Sequence, residues 1–466
     1  MLKKLPNHFI SIITLVFKFS FFVCFVSCKK NDFNTIPAVN GQDQSEVATT
    51  KPNIILILGD DVGYEIPAVN GGQSYSTPNL DKMAQSGMRF TQIRSTPLCS
   101  PSRFELLTGK YNFRNYSLWG AMDTANRTIA NMLSSAGYKT LVAGKWQLSG
   151  GDTAIHSLGF QDYMVWNPFT AEGEENVDGK GSRYKDPIIY HANHFLPADS
   201  TKGKYGDDLF TNYILNFIDS NKNKPFFVYY PICLVHPPFC PTPLDAEFVT
   251  WNSGPRNSDP KFYPSMVKYM DTKIGQILEK IKSDQIANKT IVIFVSDNGT
   301  SQQVTSMFNG QPFIGGKGTD QESGIHVPMM IWWQNHIAAG TVNNDLIDLT
   351  DFMPTLAGIA NIAKPSTYGT LDGVSFYPRL LGLAGTPRSW TYCYFYPNPI
   401  KRPDRKDSWV QNSTYKLYSD SSSKRPNNFY NFINDPAEIS PLKSTLLTTD
   451  EKMVKRNFKK VLNVLP

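Results

Sequence analysis

The sequence predicts an α/β protein with a large, mixed but mostly parallel sheet flanked by helices. Two short, continuously apolar runs support this prediction, one over residues 53–58 and the other over residues 290–295. Unbroken hydrophobicity of this length is typical of strands that are buried on both faces. Helical patterns lie between the two runs, so strands and helices alternate as they do in α/β folds.

The other elements follow in chain order. Helices are predicted where apolar residues recur at helical spacing, over residues 78–87, 128–136, 207–219 and 266–281. Further strands are predicted from short apolar runs, at residues 88–91, 139–143 and 225–230.

Size and charge narrow the class of protein. The chain has 466 residues, enough for one large domain and a smaller one. Its formal net charge is +6, and Lys3, Lys4 and Lys18 contribute three of those charges. That balance is too mild to indicate a nucleic-acid partner. After residue 30, no stretch of the sequence is long and apolar enough to span a membrane.

The amino-terminal segment indicates export. A mostly apolar run over residues 9–26 follows two lysines and ends at Val-Ser-Cys28. We therefore predict a bacterial signal peptide at residues 1–27 and lipidation of Cys28, followed by a polar tether at residues 28–50. The protein would cross the inner membrane and reside in the periplasm or at the cell surface, anchored by lipid. A plain cleaved signal and an uncleaved anchor are the alternatives.

Acidic residues follow both apolar runs. Asp60 and Asp61 come after the first, and Asp297 and Asn298 after the second. Ligand sites in open parallel sheets lie beyond the carboxyl ends of the strands, so these side chains are expected at one edge. Four hard oxygen donors suit Ca²⁺ or Mg²⁺. Capping of the following turns is the simpler alternative, but it explains one pair better than two.

Residues 99–109, Cys-Ser-Pro-Ser-Arg-Phe-Glu-Leu-Leu-Thr-Gly, predict a short helix with Pro101 near its start and Gly109 at its end. Cys99 would lie at the helix amino terminus, where free N–H groups and the dipole attract an oxyanion. Arg103, one turn along, adds a planar cation. The segment thus indicates a small-anion site with a sulfur atom at its mouth. A buried cysteine beside an ordinary capped helix is the alternative.

This pattern, C-x-P-S-R-x-x-x-L-T-G, resembles the signature of the type I, formylglycine-dependent sulfatases. The resemblance implies an alkaline-phosphatase-like fold, with the catalytic domain over residues 51–380 and a small strand-rich subdomain over residues 381–466. It also implies that a maturation enzyme acting in trans oxidises Cys99 to formylglycine, whose hydrate is the nucleophile. Family landmarks run in order from about residue 52 to residue 440.

The same resemblance assigns roles to individual residues. Asp60, Asp61, Asp297 and Asn298 match the family's calcium ligands, with Mg²⁺ as a possible substitute. Residues 144–148, Gly-Lys-Trp-Gln-Leu, and residues 315–318, Gly-Gly-Lys-Gly, resemble the two segments whose lysines contact the sulfate. The catalytic residues implied are therefore Cys99, Arg103, Lys145, Lys317 and His236, the last as donor of a proton to the leaving oxygen.

Gln147 departs from the family pattern, which has histidine at this position to help expel sulfate in the second step. A carboxamide donates and accepts hydrogen bonds but takes no proton near neutral pH. His156, nine residues later, is a candidate substitute, although a loop histidine without a role is the better interpretation. His326 also replaces a usual arginine, and we assign it no role from the sequence.

Other residues leave alternatives open. Cys233 and Cys240 are close enough in sequence to form a disulfide, or are two unpaired core thiols. No C-x-x-C pair occurs, so zinc and thioredoxin chemistry have little support. Residues 160–205 carry aromatic and histidine side chains that suit a sugar ring but equally suit loop packing.

The resulting hypothesis is hydrolysis of sulfate esters, on a sulfated small molecule or polysaccharide. One alternative is a phosphomonoester or phosphonate-ester hydrolase on the same fold, because the two tetrahedral esters look alike to such a site. The other is a catalytically silent lipoprotein that binds sulfated glycans, for which Gln147 is the support.

Overall fold

The structure is a computed structural model that describes residues 51–169, 182–254, 257–363 and 366–466. The predicted signal peptide (1–27), the tether (28–50) and Cys28 lie outside the described residues. Within the described ranges, no helix is both long and apolar enough to cross a membrane.

The strands are short and mostly buried. Numbered along the chain, they are β1 (Asn53–Gly59), β2 (Met88–Phe90), β3 (Ile93–Arg94), β4 (Lys139–Lys145), β5 (Asp162–Trp166), β6 (Tyr190–His191), β7 (His194–Phe195), β8 (Phe226–Pro231), β9 (Thr290–Ser296), β10 (Thr305–Phe308), β11 (Gln311–Ile314), β12 (Met329–Trp332), β13 (Thr341–Asn343), β14 (Ile347–Asp348), β15 (Thr391–Phe395), β16 (Asp407–Gln411), β17 (Tyr415–Tyr418) and β18 (Phe429–Asn431).

The helices range from a single turn to twenty-one residues. They are α1 (Pro78–Ser86), α2 (Cys99–Thr108), α3 (Asn112–Asn115), α4 (Ile129–Ser135), α5 (Gly151–Ser157), α6 (Ala198–Thr201), α7 (Gly206–Asn221), α8 (Tyr263–Ser283), α9 (Glu322–Ile325), α10 (Phe352–Ile359), α11 (Tyr377–Leu380) and α12 (Thr449–Leu462).

Ten of the described strands form the main sheet, in the order β13-β2-β12-β9-β1-β8-β4-β5-β6-β7. The central strands β9, β1, β8, β4 and β5 are all parallel, whereas β12, β6 and β7 pair antiparallel with their neighbours. The predicted fold class, a mixed but mostly parallel sheet, is confirmed. The two strands predicted first, β1 and β9, lie side by side at its centre.

The side chains of β1 show why its sequence is continuously apolar. Ile54, Leu56 and Leu58 point into a core shared with α2, α4 and α10. Ile55 and Ile57 point to the opposite face, into a core shared with α1, α7 and α8. Because helices cover both faces, a strand in this position has no solvent side, and alternation with polar residues would bury unpaired polar groups.

Strands β15 to β18 form a separate antiparallel sheet in consecutive order, and α12 packs against it. Lys416 and Glu438 form a fully buried ion pair there, 2.6 Å apart. This is the small strand-rich part that the predicted fold class includes.

Arg388 connects the start of this second sheet to the segments around α10 and α2. Its guanidinium pairs with Asp351, just before α10, and donates a 3.0 Å hydrogen bond to the hydroxyl of Tyr111, just after α2. Both members of the ion pair are buried. Removing the guanidinium would leave Asp351 buried without its counter-charge, which is costly.

We therefore expect Arg388→Ala to lower the free energy of unfolding by about 3–5 kcal/mol, measured by urea denaturation. The control is Arg402→Ala, because Arg402 pairs with Asp404 on the surface, where both side chains are more than half exposed. That variant should unfold as the wild type does. Equal denaturation midpoints for the two variants would contradict the role given to Arg388.

Candidate active site

The carboxyl ends of four parallel strands bring the predicted site residues together. Gly59 of β1 pairs with Ser296 of β9, so Asp60 and Asp297 follow at the same level of the sheet. Strand β4 ends at Lys145, and β8 leads to His236 five residues after its end. This is the edge of the sheet at which the sequence placed the site.

In this cluster three cations each form a hydrogen-bonded ion pair with a different carboxylate. Lys145 Nζ lies 2.6 and 2.8 Å from the two carboxylate oxygens of Asp60. Lys317 Nζ lies 2.8 Å from Asp61 Oδ2. The guanidinium of Arg103 donates to Asp297 Oδ2 at 2.8 Å. The two predicted sulfate-binding lysines thus hold carboxylates in this structure.

The pairs lie away from water, which makes their electrostatics strong. Burial disfavours ionisation of Asp60, yet the charge of Lys145 and the other nearby charges outweigh it, and the pKa of Asp60 lies below its usual range. Burial together with the charge of Asp60 instead raises the pKa of Asp297 to about 7. Asp60 and Asp297 therefore repel each other electrostatically, although each is also paired with a cation.

Helix α2 carries Cys99 and Arg103, as predicted, and every residue in it is buried. The residue that follows its last turn is Gly109, whose φ of 66° lies in the left-handed region that glycine adopts readily. Besides Asp297, the Arg103 guanidinium bonds to the backbone oxygen of Lys145 at 3.1 Å. Arg103 thereby fixes α2 to the ends of β9 and β4.

The donor set fits a divalent cation. Asn298 Nδ2 donates to Asp61 Oδ1 at 2.8 Å, but Asn298 Oδ1 is buried without a hydrogen-bond partner in the part of the chain that the structure describes. A buried amide oxygen left in this state is costly unless a ligand completes it. Asp60, Asp61 and His236 each offer one ligand atom within 4.8 Å of the others.

Cys99 contacts the residue that departs from the family pattern. Its Sγ lies 3.4 Å from Gln147 Oε1, and the backbone N–H of Gln147 donates to Asn167 O at 3.0 Å. Burial raises the pKa of the Cys99 thiol, although Lys145 and Lys317 oppose the shift. A buried, neutral thiol is a weak nucleophile.

His156 does not contact Cys99. Its ring nitrogens lie 2.8 Å from Phe160 O and 3.4 Å from an Asp152 oxygen, and about half of the side chain is exposed. His156 lies in helix α5 and not in a loop as expected, and its contacts with Phe160 and Asp152 give no support to the idea that it substitutes for the missing histidine.

His236 is partly buried, with Nδ1 2.5 Å from the backbone oxygen of Pro237. Because a carbonyl only accepts, Nδ1 must carry the proton, which leaves Nε2 for other partners. Desolvation and the charges of Lys317 and Lys145 lower the pKa of His236. In the adjoining loop Cys233 and Cys240 are buried, and both are unpaired in the described chain.

The sequence reading missed Arg183. Its Nη1 lies 3.8 Å from Asp60 Oδ2, and its guanidinium stacks on Trp166. The available signal was a basic residue in the aromatic-rich stretch over residues 160–205.

Comparison with known proteins gives consistent matches. The family model described as Sulfatase matches residues 52–362, and the one described as N-sulphoglucosamine sulphohydrolase, C-terminal, matches residues 317–465. N-acetylgalactosamine-6-sulfatase of Mus musculus is 31% identical over 363 residues, 72% of this chain and 67% of that protein. Arylsulfatase A of Homo sapiens is 30% identical over 382 residues, 75% and 72% of the two chains.

The fold is also shared with a solved structure. Ps i-CgsB in complex with k-i-k-neocarrahexaose superposes with a TM-score of 0.72 at 24% identity, over 89% of this chain and 92% of that chain. At this identity the likeness concerns the fold alone.

We call the side chains of Asp60, Asp61, Asp297 and Asn298 the oxygen cluster. If this cluster binds a cation, adding Ca²⁺ to metal-stripped protein should raise the melting temperature of the protein. A ligand at 100 times its Kd stabilises the folded state by about 2.7 kcal/mol. Asn298→Ala should reduce the shift, because it removes the unpartnered oxygen, whereas Asp404→Asn, on the exposed surface, should leave it unchanged. Calorimetry with Ca²⁺ and Mg²⁺ in parallel measures this, and an unchanged wild-type melting temperature with both ions would refute the assignment.

Proposed function

The chain belongs to the sulfatase family, whose members are sulfuric ester hydrolases, and on this premise we propose that it hydrolyses sulfate esters of carbohydrates. The observation that carries the proposal is the position of Cys99. It lies at the amino terminus of α2, against Gln147, and on the helix whose Arg103 bonds to Asp297 of the oxygen cluster. Support for a carbohydrate substrate comes from the relative named N-acetylgalactosamine-6-sulfatase.

The proposed reaction needs two groups beyond the unmodified side chains of this protein: a formylglycine and a divalent cation. A hydrated formylglycine made from Cys99 by a maturation enzyme would provide an oxygen nucleophile, and Ca²⁺ or Mg²⁺ held by Asp60, Asp61, Asp297 and Asn298 would offset charge on the sulfate. The weak nucleophilicity of a buried, neutral thiol supports the need for the modification.

The paired charges suit an anionic substrate. Asp60, Asp61 and Asp297 are matched by Lys145, Lys317 and Arg103, so a divalent cation would leave the site positive. Cations fixed in advance in a dry site stabilise developing negative charge more strongly than water does. Lys317 is the most exposed of the three cations, at 18%, and is therefore the one best placed to meet the substrate.

The reaction breaks the bond between sulfur and the ester oxygen, and one water molecule is consumed in total. The alcohol takes one proton of the water, and the oxygen and the other proton leave as hydrogen sulfate, which ionises to sulfate. We assign the proton donor to His236. The Pro237 carbonyl holds one proton on Nδ1, so Nε2 is the atom that would take up the proton lost by the attacking hydroxyl and pass it to the leaving oxygen.

Gln147 has a narrower role in this chain than histidine would have. Its carboxamide oxygen accepts a hydrogen bond from the group at position 99. Because an amide takes no proton near neutral pH, Gln147 orients that group and does not act as a base.

The cellular setting stays a prediction from the sequence. Export, lipid anchoring through Cys28 and location in the periplasm or at the cell surface concern residues outside the described ranges. The membrane would then be a partner only through the lipid.

We expect mass spectrometry of the tryptic peptide Ser95–Arg103, from protein matured in its own host, to show the aldehyde at Cys99. Maturation enzymes act on the signature segment, so the buried thiol of Cys393 in the second sheet should stay unmodified and serves as the internal control. An unmodified thiol at Cys99 throughout would remove formylglycine catalysis and favour a silent protein that binds sulfated glycans.

Turnover of a sulfate and a phosphate monoester of one alcohol separates the proposed activity from its rival. We expect the sulfate ester to have the higher kcat/KM. Cys99→Ala should lower kcat by roughly three orders of magnitude or more, whereas Cys393→Ala should retain turnover. A clearly higher kcat/KM for the phosphate ester would instead indicate a phosphoester hydrolase.

A further inference from the structure

Arg183 is a cation at the site that lacks the pairing of the others. Arg103, Lys145 and Lys317 each lie within 2.8 Å of a carboxylate oxygen. The nearest carboxylate oxygen to Arg183, Asp60 Oδ2, is 3.8 Å from its Nη1, beyond hydrogen-bonding distance. That oxygen is already 2.6 Å from Lys145 Nζ.

The guanidinium of Arg183 is nevertheless held in place. It lies over the ring of Trp166, 4.0 Å from the ring centroid, in a cation–π contact. Trp166 is the last residue of β5 and pairs in register with Lys145 of β4. The stacked pair therefore lies at the same edge of the sheet as the oxygen cluster, which follows β1 and β9.

Polar atoms around the stacked pair of Arg183 and Trp166 lack hydrogen-bond partners. The Arg183 side chain is only 12% exposed, and its Nη1 is buried with no hydrogen-bond partner among the described residues. Trp166 Nε1 and Asn167 Oδ1 are in the same state. Unpartnered buried polar atoms are costly unless a ligand satisfies them, and the two donors, Arg183 Nη1 and Trp166 Nε1, are the ones that an anion can satisfy.

We propose that Arg183, stacked on Trp166, is a specificity-determining residue that binds a second anionic group, a carboxylate or another sulfate, on the saccharide whose sulfate is cleaved. This inference rests on the proposed function. A planar guanidinium fork matches the oxygens of either group. The scissile sulfate already has three cations and the oxygen cluster to meet it.

The neighbours of Arg183 place it on the leaving-group side. Tyr184, the next residue in the chain, donates a 2.6 Å hydrogen bond to the backbone oxygen of His236, the residue assigned to protonate the leaving oxygen. A group bound by Arg183 would thus belong to the sugar. Substrates with two anionic groups on the same or adjacent sugar units would be preferred over sugars with one.

Binding to the Cys99→Ala protein tests this without turnover. Three ligands are compared by titration calorimetry: a monosulfated sugar, the same sugar with a second sulfate, and the monosulfated sugar carrying a carboxylate. We expect the ligands with two anionic groups to bind about 10- to 100-fold more tightly, the range for a charge-assisted hydrogen bond. Comparing the last two ligands identifies which anion is preferred.

Adding Arg183→Gln should abolish the preference and leave the affinity for the monosulfated sugar nearly unchanged. Arg183→Lys, which keeps the charge without the fork, should retain part of the preference, and it serves as the second variant if the glutamine variant does not fold. Arg114→Gln is the matched control, because Arg114 also stacks on an aromatic ring, that of Phe113, but pairs with Asp372 elsewhere.

Two results would overturn the proposal. One is equal affinity of the Cys99→Ala protein for all three ligands. The other is an equal loss of affinity for all three in Arg183→Gln, which would assign Arg183 to the scissile sulfate or to structure. Sulfate release by the matured wild type is measured separately, so absence of turnover with the binding preference intact would refute the proposed function and not the role of Arg183.

Discussion

The buried pairing of carboxylates and cations at the carboxyl edge of the main sheet is the constraint on which the rest of the site depends. Each ion pair joins two segments that are far apart in the chain: Asp60 with Lys145, Asp61 with Lys317, and Asp297 with Arg103. Each charge loses hydration on burial, and its charged partner, together with hydrogen bonds to neighbouring groups, compensates for that loss. Because each buried charge needs a partner from another segment, these segments must pack together for the site to form.

Helix α2 connects these ion pairs to the proposed nucleophile near one end and to the second sheet near the other. At its start, Arg103 bonds to Asp297 and to the backbone of Lys145, which fixes Cys99 relative to the oxygen cluster. At its end, Gly109 turns the chain toward Tyr111, whose hydroxyl meets Arg388 at the start of the second sheet. The small sheet thus supports the helix that carries the proposed nucleophile, which gives a structural reason for its presence in the fold.

His326 and Gln147, the two residues that depart from the family pattern, have different effects on the site. His326 replaces an arginine, but it stacks on Tyr64 with ring centroids 4.0 Å apart and bonds to Thr91 O, so its role is packing. Gln147 instead keeps the position of the expected histidine beside Cys99 while removing its capacity to take a proton. The change therefore alters the proton chemistry available beside Cys99.

The sequence by itself determined the local features: the unbroken apolar runs of β1 and β9, the helix from Cys99 to Gly109, and the acids after both strands, since these depend on periodicity and on residues close in the chain. Only the tertiary structure decided which lysine pairs with which carboxylate and that Cys233 and Cys240 are not bonded to each other. It also decided that His156 faces Asp152 and Phe160, and that Arg183 stacks on Trp166 beside Asp60. The reason is physical. Contacts between distant segments depend on how strands are ordered in the sheet and how loops cross its edge, and no short-range pattern records that order.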